Sequence, residues 1–153
     1  MGPLLDERRV VSRILLHWTE IAGDRRIPRR GDVDRLLLHD DWPHCLMVEI
    51  DDVLDRSRFV VIGDDLRPSP TESLEGRPIA ECPTDTLLSM AISYVDRVIA
   101  MRMPVTRGGT ATHLGVPILY RAVLLPLSED GQRIDHVFGA ANCREISVAP
   151  DQT

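Results

Sequence analysis

Residues 84–104 carry the pattern that most constrains the fold. Apolar side chains recur there with helical spacing and form one wide stripe: Leu87, Ala91, Tyr94, Val98 and Met101, flanked by Leu88, Ile92, Val95 and Ile99. A helix with so wide an apolar face needs a broad apolar surface to cover, and a β-sheet offers one. Thr84 or Asp85 would cap this helix, and Pro104 would end it. The sequence therefore predicts a helix packed across a sheet.

Alternating apolar residues before and after this helix predict the strands of that sheet. They fall into a hairpin followed, after the helix, by a three-strand meander: residues 44–51 and 58–63, then 105–112, 116–127 and 134–145. Sequential strands joined by short turns pair antiparallel. The expected architecture is an α+β domain whose five-stranded antiparallel sheet carries helices on one face.

An amphipathic helix is predicted at the N-terminus, over residues 4–22. Its apolar stripe includes Val11, Leu15 and Trp18, and Gly23 supplies a natural C-terminal end. Such a stripe must be buried either on the sheet or on a second copy of the chain. We therefore expect a homodimer, with these three residues as candidates for its interface.

Composition narrows the functional classes. The 153 residues suit one domain over 1–153, with the helix 4–22, a core at about 32–146 and a tail at 147–153. All 18 cationic side chains are arginines, so Schiff-base and P-loop lysines are absent. A net charge of −6 argues against nucleic-acid binding. Three separated cysteines and no apolar run of membrane length predict a cytoplasmic protein without a membrane span.

Several short segments, taken in order, are similar to one family. They comprise an apolar-aromatic helix end, a basic loop followed by an acidic pair, two strands, a turn and a final hairpin: residues 16–18, 25–34, 46–50, 59–63, 74–78 and 123–131. In this order the chain resembles stand-alone bacterial PAS-domain proteins over roughly residues 14–146. The resemblance implies a non-enzymatic sensory or regulatory module that acts through a small-molecule ligand or a signalling protein partner. It carries over no particular ligand and no cofactor.

A ligand pocket is expected between the helix and the sheet. If Arg121 and Asp135 face water, alternation turns Tyr120, His136 and Phe138 inward. We take these three, with Tyr94 and Phe59, as candidate lining residues. Apolar pockets with a few polar groups commonly bind small molecules. The alternative left open is structural, with His136 bonded to a backbone carbonyl and Tyr120 a core residue.

Two other functional classes remain possible from the residues. A small isomerase or dehydratase would use Tyr120 and His136 as acid–base groups, although no inward carboxylate is predicted. A haem or flavin sensor is the other, because residues 142–144 partly match the flavin-attachment motif of light-sensing PAS domains. That motif belongs on a helix, whereas these residues end a predicted strand. We predict no catalytic residue, no metal and no cofactor.

Two charged segments are expected to be ordinary surface. The arginines of residues 25–30 lie beside Asp24, Asp32 and Asp34, which predicts local ion pairs. The pair Asp40-Asp41, near His44, has no zinc-ligand spacing and is expected to be a solvated loop.

Overall fold

The computed structural model describes residues 3–146 of the chain, with side chains from Arg9 onward. Its helices and strands follow in this order: α1 (Pro3–Ala22), β1 (Cys45–Glu49), β2 (Arg58–Ile62), α2 (Leu87–Ile92), α3 (Val95–Met101), β3 (Val105–His113), β4 (Val116–Leu127) and β5 (His136–Glu145). The strands form one five-stranded antiparallel sheet in the order β2-β1-β5-β4-β3. The predicted α+β class is confirmed. The predicted tail at 147–153 lies outside the described residues.

Helices cover both faces of this sheet. α2 and α3 pack on one face, where Leu88 and Val98 are fully buried with Leu124. α1 packs on the opposite face, against Val123 and Leu125 of the same strand. β4 is therefore buried on both sides along its second half, which explains its nearly continuous apolar sequence.

α1 packs on its own sheet through Val10, Ile14 and Trp18. The predicted stripe is therefore rotated: Val11 and Leu15 lie at the border of the contact and are only partly buried. Trp18 is 9% exposed, and its Nε1 donates a hydrogen bond to the Pro126 carbonyl oxygen at 2.9 Å. Among residues 3–146, no helix has both the length and the apolarity needed to cross a lipid bilayer.

The single helix predicted after residue 84 is two short helices. Thr86, not Thr84 or Asp85, caps α2 by accepting a hydrogen bond from the Ser89 backbone. The helix breaks after Ile92, where the Ser93 hydroxyl donates to the Met90 carbonyl and competes with helical bonding. α3 then ends before the expected Pro104, because residue 102 adopts a left-handed conformation with φ 58°.

The prediction of which β5 side chains face α2 and α3 is wrong, because the alternation is displaced by one residue. Val137 and Ala141 face α2 and α3, whereas Phe138 and Ala140 face α1. The prediction assumes that Asp135 faces water as part of the strand, but the strand begins one residue later, at His136. A shift of one residue exchanges the two faces of a strand, and both faces of β5 are apolar enough to accept either register.

Candidate functional site

The structure separates the five predicted pocket residues into two groups. Tyr94, Tyr120 and Phe59 lie together in the core between the sheet and the α2–α3 layer. Phe138 packs on the opposite face, where its ring stacks on Trp42 with centroids 6.2 Å apart. His136 lies on the same face as Phe138, because the two are two residues apart in strand β5. The predicted pairing of Tyr120 with His136 is therefore wrong, since the sheet lies between them.

Tyr94 occupies the break between α2 and α3. Its backbone leaves the helical region, with φ −119° and ψ 25°. The side chain is only 5% exposed, and its hydroxyl is buried without any hydrogen-bond partner. Burial raises the pKa of this phenol above its ordinary value, Tyr120 adds to the rise and Arg107 opposes it. Tyr94 therefore holds a neutral hydroxyl in the core that could serve a polar group brought by a ligand.

Tyr120, on β4, lies in the same core as Tyr94. Its neighbour on edge strand β3 is Gly109, which has no side chain and takes φ 152°. A β carbon placed at Gly109 would meet no atom within 4 Å. The neighbour on β5 is Cys143, which packs at the border of the same core. Gly109 and Cys143 thus place little side-chain bulk beside Tyr120, which is itself 8% exposed.

Arg107 brings positive charge to this edge of the core. Its guanidinium carbon lies 5.4 Å from the centre of the Tyr94 ring, a cation–π geometry. Arg107 was not among the residues predicted from the sequence, although it lies two residues after Val105 in β3 and therefore on the same helix-covered face. We name Tyr94, Tyr120, Arg107 and Gly109 the tyrosine recess.

His136 sits in a separate polar cluster on the α1 side. Its Nδ1 lies 2.7 Å from a carboxylate oxygen of Asp135, and its Nε2 lies 3.7 Å from one of Glu49. The imidazole is buried, and Nε2 makes no hydrogen bond. Because Tyr120 faces the other way, this cluster does not assemble the acid–base pair that the enzyme hypothesis required.

The predicted dimer residues border a groove between α1 and the edge of the sheet. This groove has a volume of about 360 Å³, and Val11 and Leu15 line it with Gly108 and Arg121. Trp18 does not belong to it, because its ring is buried in the chain's own core. Of the three predicted interface residues, only Val11 and Leu15 remain accessible.

The acidic pair near His44 differs from the solvated loop that the sequence predicted. Asp41 is buried, and its two carboxylate oxygens accept hydrogen bonds at 2.7 and 2.6 Å from the guanidinium of Arg13 on α1. This bidentate pair ties the loop to α1. Within the described part of the chain, no three histidine, cysteine or acidic side chains are grouped to hold a metal ion.

The arrangement of strands and helices is similar to that of known sensory domains. The PAS domain of Bordetella pertussis BvgS matches with a TM-score of 0.50 and 19% identity, over 75% of this chain and 85% of that domain. A sensory box histidine kinase from Vibrio cholerae matches with a TM-score of 0.48 and 19% identity, over 74% and 93%. The LOV domain of a blue-light activated histidine kinase from Erythrobacter litoralis matches with a TM-score of 0.46 and 10% identity, over 67% and 96%.

The match to the BvgS domain gives this chain a PAS-like fold. No family model and no curated protein matches its sequence.

Proposed function

We propose that this chain is a PAS-type sensory or regulatory module that is not an enzyme. It binds a small molecule or a protein partner and passes the signal on by protein–protein contact. The PAS-like fold supports this function, and so does the separation of Tyr120 from His136, which leaves the acid–base alternative without its pair. The observation that carries the proposal is the buried, unpartnered hydroxyl of Tyr94.

An unpartnered phenol in a core is costly. A buried hydroxyl without a hydrogen bond lowers stability by the cost of removing it from water, on the order of 1 kcal/mol, and a phenylalanine would avoid that loss at Tyr94. A ligand with one polar group would satisfy the hydroxyl, while Tyr120 and the surrounding apolar side chains would bury its remainder. The ligand class proposed is therefore small, largely apolar and able to form one hydrogen bond.

The sheet connects the tyrosine recess with α1. Tyr120 faces the recess, and the adjacent Arg121 faces the opposite side and lines the groove beside α1. A ligand that changes the packing of Tyr120 therefore acts on the strand that supports α1. It acts as a signal only if it binds one arrangement of these layers more tightly than another.

Native mass spectrometry of the purified protein tests the ligand proposal, followed by thermal-shift screening of small apolar molecules against wild type and Tyr94→Phe. We expect either a retained small molecule or screening hits whose affinity falls about tenfold in the variant, as loss of one hydrogen bond implies. Hits that bind both proteins equally would contradict a role for the Tyr94 hydroxyl. Visible absorption by the purified protein would favour the haem or flavin alternative.

We also propose a homodimer that uses Val11 and Leu15. Their groove lies between α1 and edge strand β3, so a second copy could cover both. In native mass spectrometry, Leu15→Glu should shift the protein from dimer to monomer, because burial of an unpaired carboxylate opposes association. Leu37→Glu is the control, since Leu37 is exposed elsewhere. A wild-type monomer at all concentrations would refute the dimer.

A further inference from the structure

A second cleft lies where the two helical layers meet. It has a volume of about 930 Å³ and opens between the end of α1, the end of α3 and the turn that joins β4 to β5. Its walls include Trp18 and Arg26 from the α1 side, Met101, Arg102 and Met103 from the α3 side, and Gln132 from the turn. The cleft is separate from the tyrosine recess.

Two methionines give the cleft an apolar wall. Met101 and Met103 are each 48% exposed. Methionine is flexible and polarizable, and exposed methionines are common on surfaces that bind apolar side chains of varied shape. This wall suits a bulky apolar side chain from a partner.

Two arginines, Arg26 and Arg102, line the cleft beside that wall, and neither forms a salt bridge within residues 3–146. The predicted ion pairs of residues 25–30 are not formed: within residues 3–146, neither Arg26 nor its neighbours at 25, 29 and 30 pairs with a carboxylate. The nearby Asp32 and Asp34 instead accept hydrogen bonds from backbone N–H groups of their own loops. The basic segment therefore keeps its charge available to a partner.

Arg102 is positioned by the fold at the other side of the cleft. Its guanidinium donates one hydrogen bond to the carbonyl oxygen of Gly131 at 3.0 Å and another to the carbonyl oxygen of Gln132. A guanidinium has five N–H donors, so donors remain for an incoming carboxylate. Arg26 and Arg102 thus present positive charge from both helical layers beside Met101 and Met103.

We propose that this cleft docks an acidic segment of a partner protein, with an apolar side chain against Met101 and Met103 and carboxylates against Arg26 and Arg102. The chain as a whole carries a net charge of −6, so the basic cleft is a local exception to its charge. A long polyanion such as a nucleic acid would meet the acidic remainder of the surface, whereas a short peptide meets only the cleft. The methionine wall also favours a peptide over phosphate.

Occupation of the cleft would link the two faces of the sheet. One wall belongs to the α1 side and the other to the end of α3, so a bound segment contacts both layers at once. This inference specifies the partner surface of the proposed regulatory function and rests on it. Its test, however, needs no ligand in the tyrosine recess, so the two can fail independently.

Peptide binding to the full chain tests the proposal. The probe is an array of short peptides, about nine residues long, in which two to four acidic residues surround one leucine or phenylalanine. We expect saturable binding with a Kd below about 1 mM that weakens as salt screens the arginines. The double variant Arg26→Gln/Met103→Ser should raise Kd at least about tenfold. Both side chains are exposed, so folding should be retained.

Matched controls separate the cleft from general charge effects. Arg56→Gln removes the same charge from an exposed position elsewhere on the chain and should leave Kd unchanged within about twofold. In protein labelled at its methionine methyl groups, the peptide should shift the NMR signals of Met101 and Met103. The signal of Met47, buried in the sheet, is the internal reference.

Three outcomes would overturn the proposal. The first is that no acidic peptide of the array binds below about 1 mM. The second is a failed control: either Arg56→Gln weakens binding as much as the cleft variant does, or the peptide leaves the NMR signals of Met101 and Met103 unshifted. The third is that single-stranded oligothymidylate or inorganic phosphate binds the cleft as tightly as the best peptide, which would replace the peptide with a simple anion.

Discussion

The two faces of the sheet are built differently. On the α1 face, three polar side chains of the helix have partners elsewhere in the chain: Trp18 donates to the Pro126 carbonyl, Arg13 to the Asp41 carboxylate, and His17 accepts from the Asp34 backbone. On the opposite face, the helix is broken at Tyr94, whose hydroxyl has no partner. Both layers are hydrogen-bonded to the sheet or its turns, since on the α2 side the Leu87 backbone donates to His113 and the Gly115 backbone donates to Asp85. The two layers differ in the side chains of the helices themselves: those that hold α1 are paired, whereas the Tyr94 hydroxyl is not. The unpartnered Nε2 of His136 on the α1 face belongs to the sheet and not to the helix.

This difference indicates which layer can respond to a ligand. The paired side chains of α1 favour one arrangement, because moving the helix would lose several hydrogen bonds at once. The α2–α3 layer contains a break, a left-handed residue at the end of α3 and an unpaired phenol, which are features common where a structure opens or rearranges. We therefore expect α1 to maintain the fold and the α2–α3 layer to change with binding.

The largest expected effect compares one phenylalanine on each face. Phe138 on the α1 face and Phe59 on the α2–α3 face are both fully buried. Phe138→Ala should lower the free energy of unfolding by about 3–5 kcal/mol, and Phe59→Ala by less, because edge strand β2 can relax into the cavity. Urea unfolding of both variants measures the difference. A larger loss for Phe59→Ala would reverse the roles assigned to the two faces.

A smaller effect isolates one anchoring hydrogen bond. Trp18→Phe keeps most of the ring in the core but removes the N–H that bonds Pro126. We expect the free energy of unfolding to fall by about 1–3 kcal/mol, partly from the lost bond and partly from the smaller ring. Chemical denaturation with an unchanged m-value would confirm a native-state effect. No loss of stability would mean that this bond does not fasten α1.

The sequence was sufficient to predict the fold, but not on which face of the sheet each side chain lies. Strand β4 was predicted with its observed limits, because its apolar run is long and a turn signal at residues 128–131 follows it. The helix break after Ile92 was missed, since the apolar stripe continues through it and only Ser93 disturbs the pattern. The orientation of β5 was missed because both of its faces are apolar, so alternation alone cannot choose between them.

The positions of the candidate residues were predicted only in part for the same reason, and their role in a site stays a prediction. Tyr94, Tyr120 and Phe59 lie in one core, as alternation and helical spacing predicted. The error at His136 follows from the register of β5. The availability of the arginines in residues 25–30 could not be predicted from neighbours in sequence, because the expected acidic partners cap turns of their own loops instead.

Acidification should weaken α1 anchoring through His17. The neutral Nε2 of His17 accepts a hydrogen bond from the Asp34 backbone at 3.2 Å. Burial lowers the pKa of His17 below 6.5, while the charges of Asp34 and Glu20 oppose that shift. The unfolded chain therefore takes up a proton first as the pH falls. The stabilisation is complete above about pH 6.5 and is lost progressively below it, towards the folded pKa.

Two histidine variants isolate this contribution. We expect His17→Gln, measured by urea unfolding between pH 7.5 and about pH 5, to lose less stability on acidification than wild type. His39→Gln changes an exposed histidine and should follow the wild-type profile. If His17→Gln and wild type lost stability in parallel, the bond to Asp34 would not be the acid-sensitive element of the α1 face.

The smallest expected effect has the opposite sign and tests the other face. Tyr94→Phe removes a hydroxyl that has no hydrogen bond in the described structure, so it should leave the free energy of unfolding unchanged or raise it by up to about 1 kcal/mol. Trp18→Phe removes a paired N–H and should lower it, although both substitutions delete one buried polar group from an aromatic side chain. If Tyr94→Phe destabilised the protein as much as Trp18→Phe, the Tyr94 hydroxyl would have a partner within the fold, and the contrast between the faces would fail. A stable variant that also loses ligand affinity would instead indicate that the hydroxyl is kept for binding.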